Sequence, residues 1–464
     1  MLLARRLSII VDETLPEASI ALHPRHRQAL SARHLPRAMT FGLLPPKPLS
    51  RLLFDARIAP GRLAVSPELA ASLLLCSELT FHAFVQRETL RLGPLVALAL
   101  DAGALDVERS PDADGRTFFG RELCRALRRY GGQCIVAARD ALSPERPDVI
   151  AWALNGERWT YGRWPAPDVI IPRFAYRREE REAVRSGWYE GWRARGAIIF
   201  NTRYLSKWEV FQTLLKTPLA DHLPPTALLD PVCLSHDLPR LLKAECGAWF
   251  IKPAYGREGR GIWHLKRDGE AFIVRRPNPS GSPFVERLTP DALRHRMRAQ
   301  AARRRLILQP DIELARIGDR PVDFRAVVAQ TSPSAFRVAS LVGRLGERGH
   351  FLTNLSQRGT LVPAYDALTV LQQTVNVPPI SALKRLSLEA ARALDAGRKL
   401  PEPYLELGID LGVDRQGRLW IVEINGKPSK RHGTAGTDDV RPSVRAMAKA
   451  TVTWWVHRIR DDPE

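Results

Sequence analysis

Apolar and polar positions alternate over short distances at the start of the chain. LSIIV and RLAVS read as strands, and the proline-rich stretch from Leu43 to Leu49 reads as a connector. Residues 1–91 are therefore expected to form a small strand-rich N-terminal module, in which no chemistry is legible. At Leu92 the rhythm changes. The apolar run GPLVALAL, the helix-like FFGRELCRALRRYGG and the strands CIVAA, DVIAWAL and PDVIIPRF alternate as they do in a small parallel α/β domain, here residues 92–200. Asn155-Gly156 is a hairpin turn inside it. Gly93 and Gly103 lack the spacing of a dinucleotide-binding fingerprint.

From Asn201 the pattern becomes denser. SKWEVFQTLLKT reads as a helix with Ser206 at its N-cap, followed by LPPTALL, an extended segment set by its prolines. WFIKPAYGREGRGIWHL reads as strand, glycine loop, strand. An arginine-rich helix ending near Arg305 leads to LILQPDIEL, the long strand VDFRAVVAQT, RVASLVGRLG and the loop TNLSQRGT. A long helix through LKRLSLEAARALDAG follows. LELGIDLGVDRQGRLWIVEINGKPS then reads as two strands joined by a turn at Arg415 to Gly417.

Composition narrows the class without naming a partner. The 464 residues exceed one ordinary core, and 45% hydrophobic with 26% charged residues is a globular balance. Seventy Lys and Arg against fifty Asp and Glu leave a formal charge of +20, which favours polyanions. The excess is mostly arginine scattered through helices, as in RELCRALRRY and AARRRL, where solvated faces explain it. No zinc finger or base-stacking platform accompanies it, so nucleic acid is not the expected partner. Cys76, Cys124, Cys134, Cys233 and Cys246 are odd in number and hold no CxxC pair, which argues against a disulfide framework or a zinc site. The N-terminus carries charges inside its first apolar patch, unlike a signal peptide, and no apolar run reaches membrane-spanning length. The chain reads as cytoplasmic, with no membrane partner.

Candidate chemistry concentrates in the second half. Lys252 follows Trp249, Phe250 and Ile251 on a strand, and a lysine among buried neighbours needs an anionic partner. Gly256, Gly259 and Gly261 come directly after it. Such glycines let backbone amides approach phosphate oxygens, and Arg257 and Arg260 add positive charge. The order is not that of a Walker loop, and a plain turn reads the same way. Asp410 lies on one strand of the last hairpin, while Glu423 and Asn425, two apart, share a face of the other. Two carboxylates and an amide oxygen are hard ligands suited to magnesium on nucleotide phosphates. The alternative is a turn aspartate with Glu423 paired to an arginine. Asp323, Arg325, Arg344 and Asn354 lie between these ends, and arginines beside such a centre can hold charge on a transferring group or serve as structural ion pairs.

The ordered series Lys207, Lys252, the glycine loop, LQPDI, DFR, Arg344, TNLSQRG, Asp410 and EIN resembles ATP-grasp proteins, especially RimK-like amino-acid ligases. It is most similar to the YheC/YheD family of endospore coat-associated proteins, over roughly Asn201 to Lys430, through IKP, LARIGDRPVDFR, TNLS and GIDLGVD…EINGKP. The resemblance implies a multidomain α+β and α/β chain. Residues 201–464 would be an ATP-grasp domain of two α+β subdomains, preceded by a pre-ATP-grasp α/β domain and the N-terminal module. It implies that Lys207 and Lys252 contact phosphate and adenine-side atoms, and that the glycines form a mobile loop over the phosphates. Gln309 to Ile312, with Asp311, would form a hinge reading adenine through backbone groups. Pro310 departs from the acidic residue frequent there and removes a donor. Asp323 and Asn354 would contact nucleotide, Arg325 and Arg344 would be catalytic or phosphate-binding, and Asp410, Glu423 and Asn425 would hold magnesium.

The activity so implied is a carboxylate-amine or carboxylate-thiol ligase working through an acyl phosphate. Its cofactors would be ATP and two magnesium ions, or manganese in their place, and its partners an unidentified carboxylate and nucleophile. The rival is a nucleotide-binding structural or assembly protein of the spore coat, with coat proteins as partners and no ligase turnover.

Overall fold

Burial and alternation sort the apolar runs into four sheets. The computed structural model describes residues 2–28, 30, 35–111, 117–230, 247–256, 259–278, 282–349, 351, 353, 359–398, 401–430 and 440–461. Eight strands between Leu2 and Gly93 form a mixed sheet in which Leu2–Val11 pairs parallel with Arg62–Val65 and antiparallel with Thr80–Gln86. This region is strand-rich, as its short apolar runs suggest.

In the second sheet, Leu95–Leu100 and Gln133–Ala138 are buried along their whole length, as continuous apolar strands covered on both faces must be. They pair in parallel. Leu95–Leu100 also pairs in parallel with Val169–Pro172, which carries Ile198–Ile199 beyond it. The hairpin Asp148–Asn155 and Arg158–Pro165 adds two antiparallel strands at the other edge, so the sheet is mixed rather than wholly parallel. It turns at Asn155-Gly156, where Gly156 takes φ +55°, a conformation that a β-carbon resists.

The third and fourth sheets are antiparallel. The third is ordered Ala227–Leu229, Leu306–Pro310, Ala248–Pro253, Trp263–Asp268, Ala271–Arg276, Phe284–Leu288. Its last two strands escape a reading by apolar runs, because arginines and glutamate interrupt them. The arginine-rich helix is Pro290–Ala301, N-capped by the Thr289 hydroxyl accepting from Ala292 N at 3.3 Å, and it ends before the arginine run. The fourth sheet is ordered Thr360–Pro363, Ala335–Leu345, Arg320–Ser332, Glu406–Val413, Leu419–Asn425. Val322, Phe324, Ala326, Ile409 and Leu411 join a core formed with the helices Lys207–Leu214, Ala364–Leu371 and Ile380–Ala396. The intervening residues face the opposite way. Ser206 occupies the N-cap position of the first of these helices without a side-chain capping bond. The Lys207 amide donates to Ala254 O at 2.8 Å, which docks the helix start on the segment after Lys252.

The C-terminal helix Pro442–Asp461 has no clear signature in the sequence, because its apolar positions serve more than one neighbour. It packs on the helix Thr117–Arg129 and on the long strand Arg320–Ser332. Trp454 Nε1 donates to Gln330 O at 3.0 Å, and Trp455, 1% exposed, sets its indole edge-on to Phe84 at 5.5 Å between centroids. A β-carbon on Gly93 would lie 2.5 Å from Trp455 Cζ2. No described helix is long and apolar enough to cross a membrane. Cys76, Cys124 and Cys134 are free thiols; Cys233 and Cys246 lie outside the described residues.

Trp455→Ala is expected to destabilise the protein by about 3–5 kcal/mol in denaturant unfolding, the loss typical of a buried indole. Gly93→Ala should destabilise the wild type through the clash, and less in the Trp455→Ala background. Equal effects in the two backgrounds would rule out the contact as the cause.

Candidate active site

The polar face of the fourth sheet is assembled by register. Asp323 lies opposite Arg344, Arg325 opposite Asp410, Asp410 opposite Glu423, and Gly408 opposite Asn425. A β-bulge between the Leu411/Ile421 and Asp410/Glu423 pairs leaves Val422 unpaired. The extra residue keeps both Ile421 and Ile424 in the core while Glu423 and Asn425 reach the other face. Gly408 makes room there: a β-carbon would meet Pro428 Cβ at 2.8 Å and approach Arg325 Nη1 to 3.4 Å. Above Gly412, Leu314, Val422 and Ile312 fill the space a side chain would take, so an apolar floor adjoins the charges.

Those charges are tightly paired. Arg344 donates to Asp323 through Nε (2.7 Å) and Nη2 (2.6 Å), and its Nη2 also lies 3.1 Å from Asp410 Oδ1. Arg325 grips Asp410 as a fork, Nη2 to Oδ2 at 2.8 Å and Nε to Oδ1. The Thr353 hydroxyl donates to Asp323. Burial opposes ionisation of Asp410, but Arg325 and Arg344 overcome it and hold its carboxyl below the ordinary range. Burial likewise opposes charge on Arg344, and Asp323 and Asp410 more than offset it, raising its pKa. On the hairpin's far strand, Lys207 Nζ lies 3.2 Å from Glu423 Oε1 and donates to Gly256 O at 2.9 Å. Glu423 thus pairs with a lysine, not an arginine. Among the described residues no group of three or more His, Cys, Asp and Glu is poised for a metal; the oxygen set here has two carboxylates and an amide.

The third sheet supplies the opposite wall. Lys252 Nζ donates to Gln309 Oε1 at 2.8 Å, and Gln309 Nε2 donates to Thr226 Oγ1 at 2.8 Å. Burial pushes the Lys252 ammonium down to about 8, against the attraction of Glu423, while Lys207 repels it further. In the hinge, Asp311 N is committed to Ala248 O at 3.0 Å and Pro310 has no N–H. Among the described residues this leaves the Ile312 amide as the hinge donor without a sheet partner. The Asp311 side chain turns away, accepting from Glu313 N at 2.9 Å and pairing with His264 Nε2 at 2.9 Å. Burial raises the Asp311 pKa, and the contacts with His264, the Glu313 amide and the Lys252 charge together lower it more, for a net decrease. Phe351 stacks on His264 at 5.4 Å between centroids, and Phe250 lies 4.9 Å from the same ring. This carries the segment before TNLSQRG onto the third sheet. Gly259 and Gly261 both take φ +74°, and a β-carbon on Gly261 would come 2.8 Å from Arg304 Nη1.

Of the residues singled out in the sequence, Lys207, Gly256, Asp323, Arg325, Arg344, Asp410, Glu423 and Asn425 are brought together on or beside one face. Lys252, Gln309, Asp311 and Ile312 lie on the facing wall and the hinge. Asn354 and Arg257 lie outside the described residues. Gly408, Thr353, His264 and Phe351 were not signalled, because each acts through a partner distant in sequence. Asn201 is another such residue. Its amide donates to Glu406 O at 2.9 Å and to Gly426 O at 2.5 Å, and Leu405 N donates to its Oδ1 at 2.9 Å, which straps both strands of the last hairpin. After Asn425, Lys427 pairs with Glu180 of the helix Arg177–Arg185, and Lys430 pairs at 2.7 Å with Glu406, which also takes Arg173, the residue after the second-sheet strand Val169–Pro172, at 3.2 Å.

Residues 196–450 match the family described as YheC/D like ATP-grasp. The chain belongs to that family. It is 25% identical over 381 residues to the endospore coat-associated protein YheD of Bacillus subtilis, covering 79% of each chain. It is 22% identical over 335 residues to YheC of the same organism, covering 71% of this chain and 88% of that one. The crystal structure of D-cycloserine synthetase DcsG overlaps 76% of this chain and 99% of its own, with 13% identity and a TM-score of 0.47.

In this ATP-grasp wall the position of Lys252 makes a pH-dependent contribution. Burial holds its pKa at about 8 in the folded chain, below the ordinary lysine value of 10.5. The unfolded chain therefore binds more protons between these values, and stability rises with pH across that window. Below it the penalty reaches about 3 kcal/mol at most. Lys252→Met is expected to raise the thermal midpoint of the ligand-free protein at pH 7, with the gain shrinking towards pH 10. A pH-independent gain would exclude a titrating lysine as the source.

Proposed function

We propose that the chain binds ATP with magnesium between the third and fourth sheets, and uses it to convert a carboxylate into an acyl phosphate that an amine or thiol then attacks. The observation that carries this reading is the convergence of Asp410, Glu423 and Asn425 with Arg325 and Arg344 on one sheet face, opposite Lys252. The donor set fits magnesium: its oxygens are hard ligands, and Asp410 is held ionised where cations already gather. Asp410, Glu423 and Asn425 would hold two magnesium ions, or manganese, which when bound neutralise phosphate charge.

This chain's own groups do the rest. Lys207 and Lys252 offer cations to the phosphates from two sides. The Ile312 amide and the apolar floor of Ile312, Leu314 and Val422 suit a purine. Arg344, held rigid by Asp323, and Arg325 hold charge that develops on the transferring phosphoryl group. Positioning and charge account for such transfers, so no side-chain nucleophile is required.

A second reading rests on the relatives' names: a nucleotide-binding structural or assembly protein of the endospore coat, without turnover. Both readings suit a chain made in the cytoplasm, and the second adds coat association. Hydroxylamine separates them. Incubation with ATP, magnesium and a panel of amino acids and small carboxylic acids should give ADP together with a hydroxamate for at least one acid. ATP binding with neither product across the panel favours the structural reading.

A further inference from the structure

Glu423 and Asp410, the two carboxylates of the oxygen set, are both gripped by side-chain cations. Asp410 Oδ1 faces Arg325 Nε and Arg344 Nη2, and its Oδ2 accepts from Arg325 Nη2. A carboxylate has about four lone-pair sites, so three are taken, both of those on Oδ1. Glu423 Oε1 holds Lys207 Nζ at 3.2 Å. Asp410 is 3% exposed and Arg344 5%, so water screens these contacts weakly. Lys207, Lys252, Arg325 and Arg344 already face Asp323, Asp410 and Glu423, and the surroundings of Lys252 include Glu423, Lys207 and Asp410. A bare divalent ion would find only one open site on Asp410, on Oδ2 beside Arg325 Nη2, unless Arg325 withdrew and that guanidinium were left without an anion. A triphosphate arriving with its metal brings the anion that takes Arg325 and Lys207 over.

We propose that Arg325 and Lys207 are resident counter-cations of the metal seat, so that a divalent ion enters only together with nucleotide phosphate. This rests on the ATP–magnesium reading above and adds to it an order of events set by ion exchange at two carboxylates. The coupling is reciprocal: nucleotide raises metal affinity by the factor by which metal raises nucleotide affinity. The fork is a charge-assisted bidentate contact, and its loss should alter metal affinity by about tenfold or more.

The test is Mn²⁺ titration of the full chain followed by electron paramagnetic resonance, with and without a non-hydrolysable ATP analogue. Wild type should bind Mn²⁺ weakly alone and much more tightly with the analogue. Arg325→Met should bind Mn²⁺ alone about tenfold more tightly than wild type, with a smaller gain on adding the analogue. Lys207→Met, at the rim of the seat, should shift the same way and does so without uncovering buried Asp410. Circular dichroism checks that each variant is folded. Wild type binding Mn²⁺ alone as tightly as with the analogue, or both variants matching wild type, overturns the inference while leaving nucleotide binding intact. Failure of every folded form to take up Mn²⁺ even with the analogue overturns this inference and the ATP–magnesium reading together.

Discussion

A β-strand sends successive side chains to opposite faces, and the polar wall of the candidate site depends on that period holding across four paired strands. Phe324 and Leu411 enter the core while Arg325 and Asp410, one residue away on each strand, meet on the other side. A one-residue slip would exchange the two sets, burying the arginine among leucines. Core packing and site assembly therefore constrain the same register. The bulge at Val422 is the one place where the last strand departs from the period, and it does so where Glu423 and Asn425 reach the polar face without surrendering Ile421 or Ile424.

Gathering so many charges on a largely buried face succeeds because each has a partner. A single unpaired charge there would be expensive, yet Arg344 sits between Asp323 and Asp410, and Arg325 forks onto Asp410. Lys252 is the least compensated member, with an amide oxygen as its close partner and burial depressing its pKa. A network balanced in this way leaves its cations paired within the protein. Phosphates would supply a further anion, and the same arrangement that stabilises the folded chain then becomes a means of recognising it.

Much of this was legible in the chain. The two-residue spacing of Glu423 and Asn425 on a terminal hairpin, with apolar neighbours on both strands, already placed their side chains on one face. Lys252 and the glycines after it were visible as a strand running into a loop. What could not be read were partners brought together by pairing between distant segments, such as Arg325 with Asp410, Thr353 with Asp323, and His264 with Asp311. The hairpin on the second sheet was legible from Asn155-Gly156, but its antiparallel attachment was not, because the apolar runs of edge and central strands look alike. The C-terminal helix was missed for a related reason. Its apolar residues divide between the Thr117–Arg129 helix and the long strand, so no single stripe announces it.

The proposed ATP site on this face is built around Asp410, Glu423 and Asn425. Calorimetric titration of ATP into the wild type and into a Glu423→Ala, Asn425→Ala double variant, each with and without magnesium, tests it most directly. Magnesium-dependent binding to the wild type that is lost in the double variant is the expected result. ATP binding that ignores magnesium and survives the double substitution, or no binding by the wild type, would contradict it.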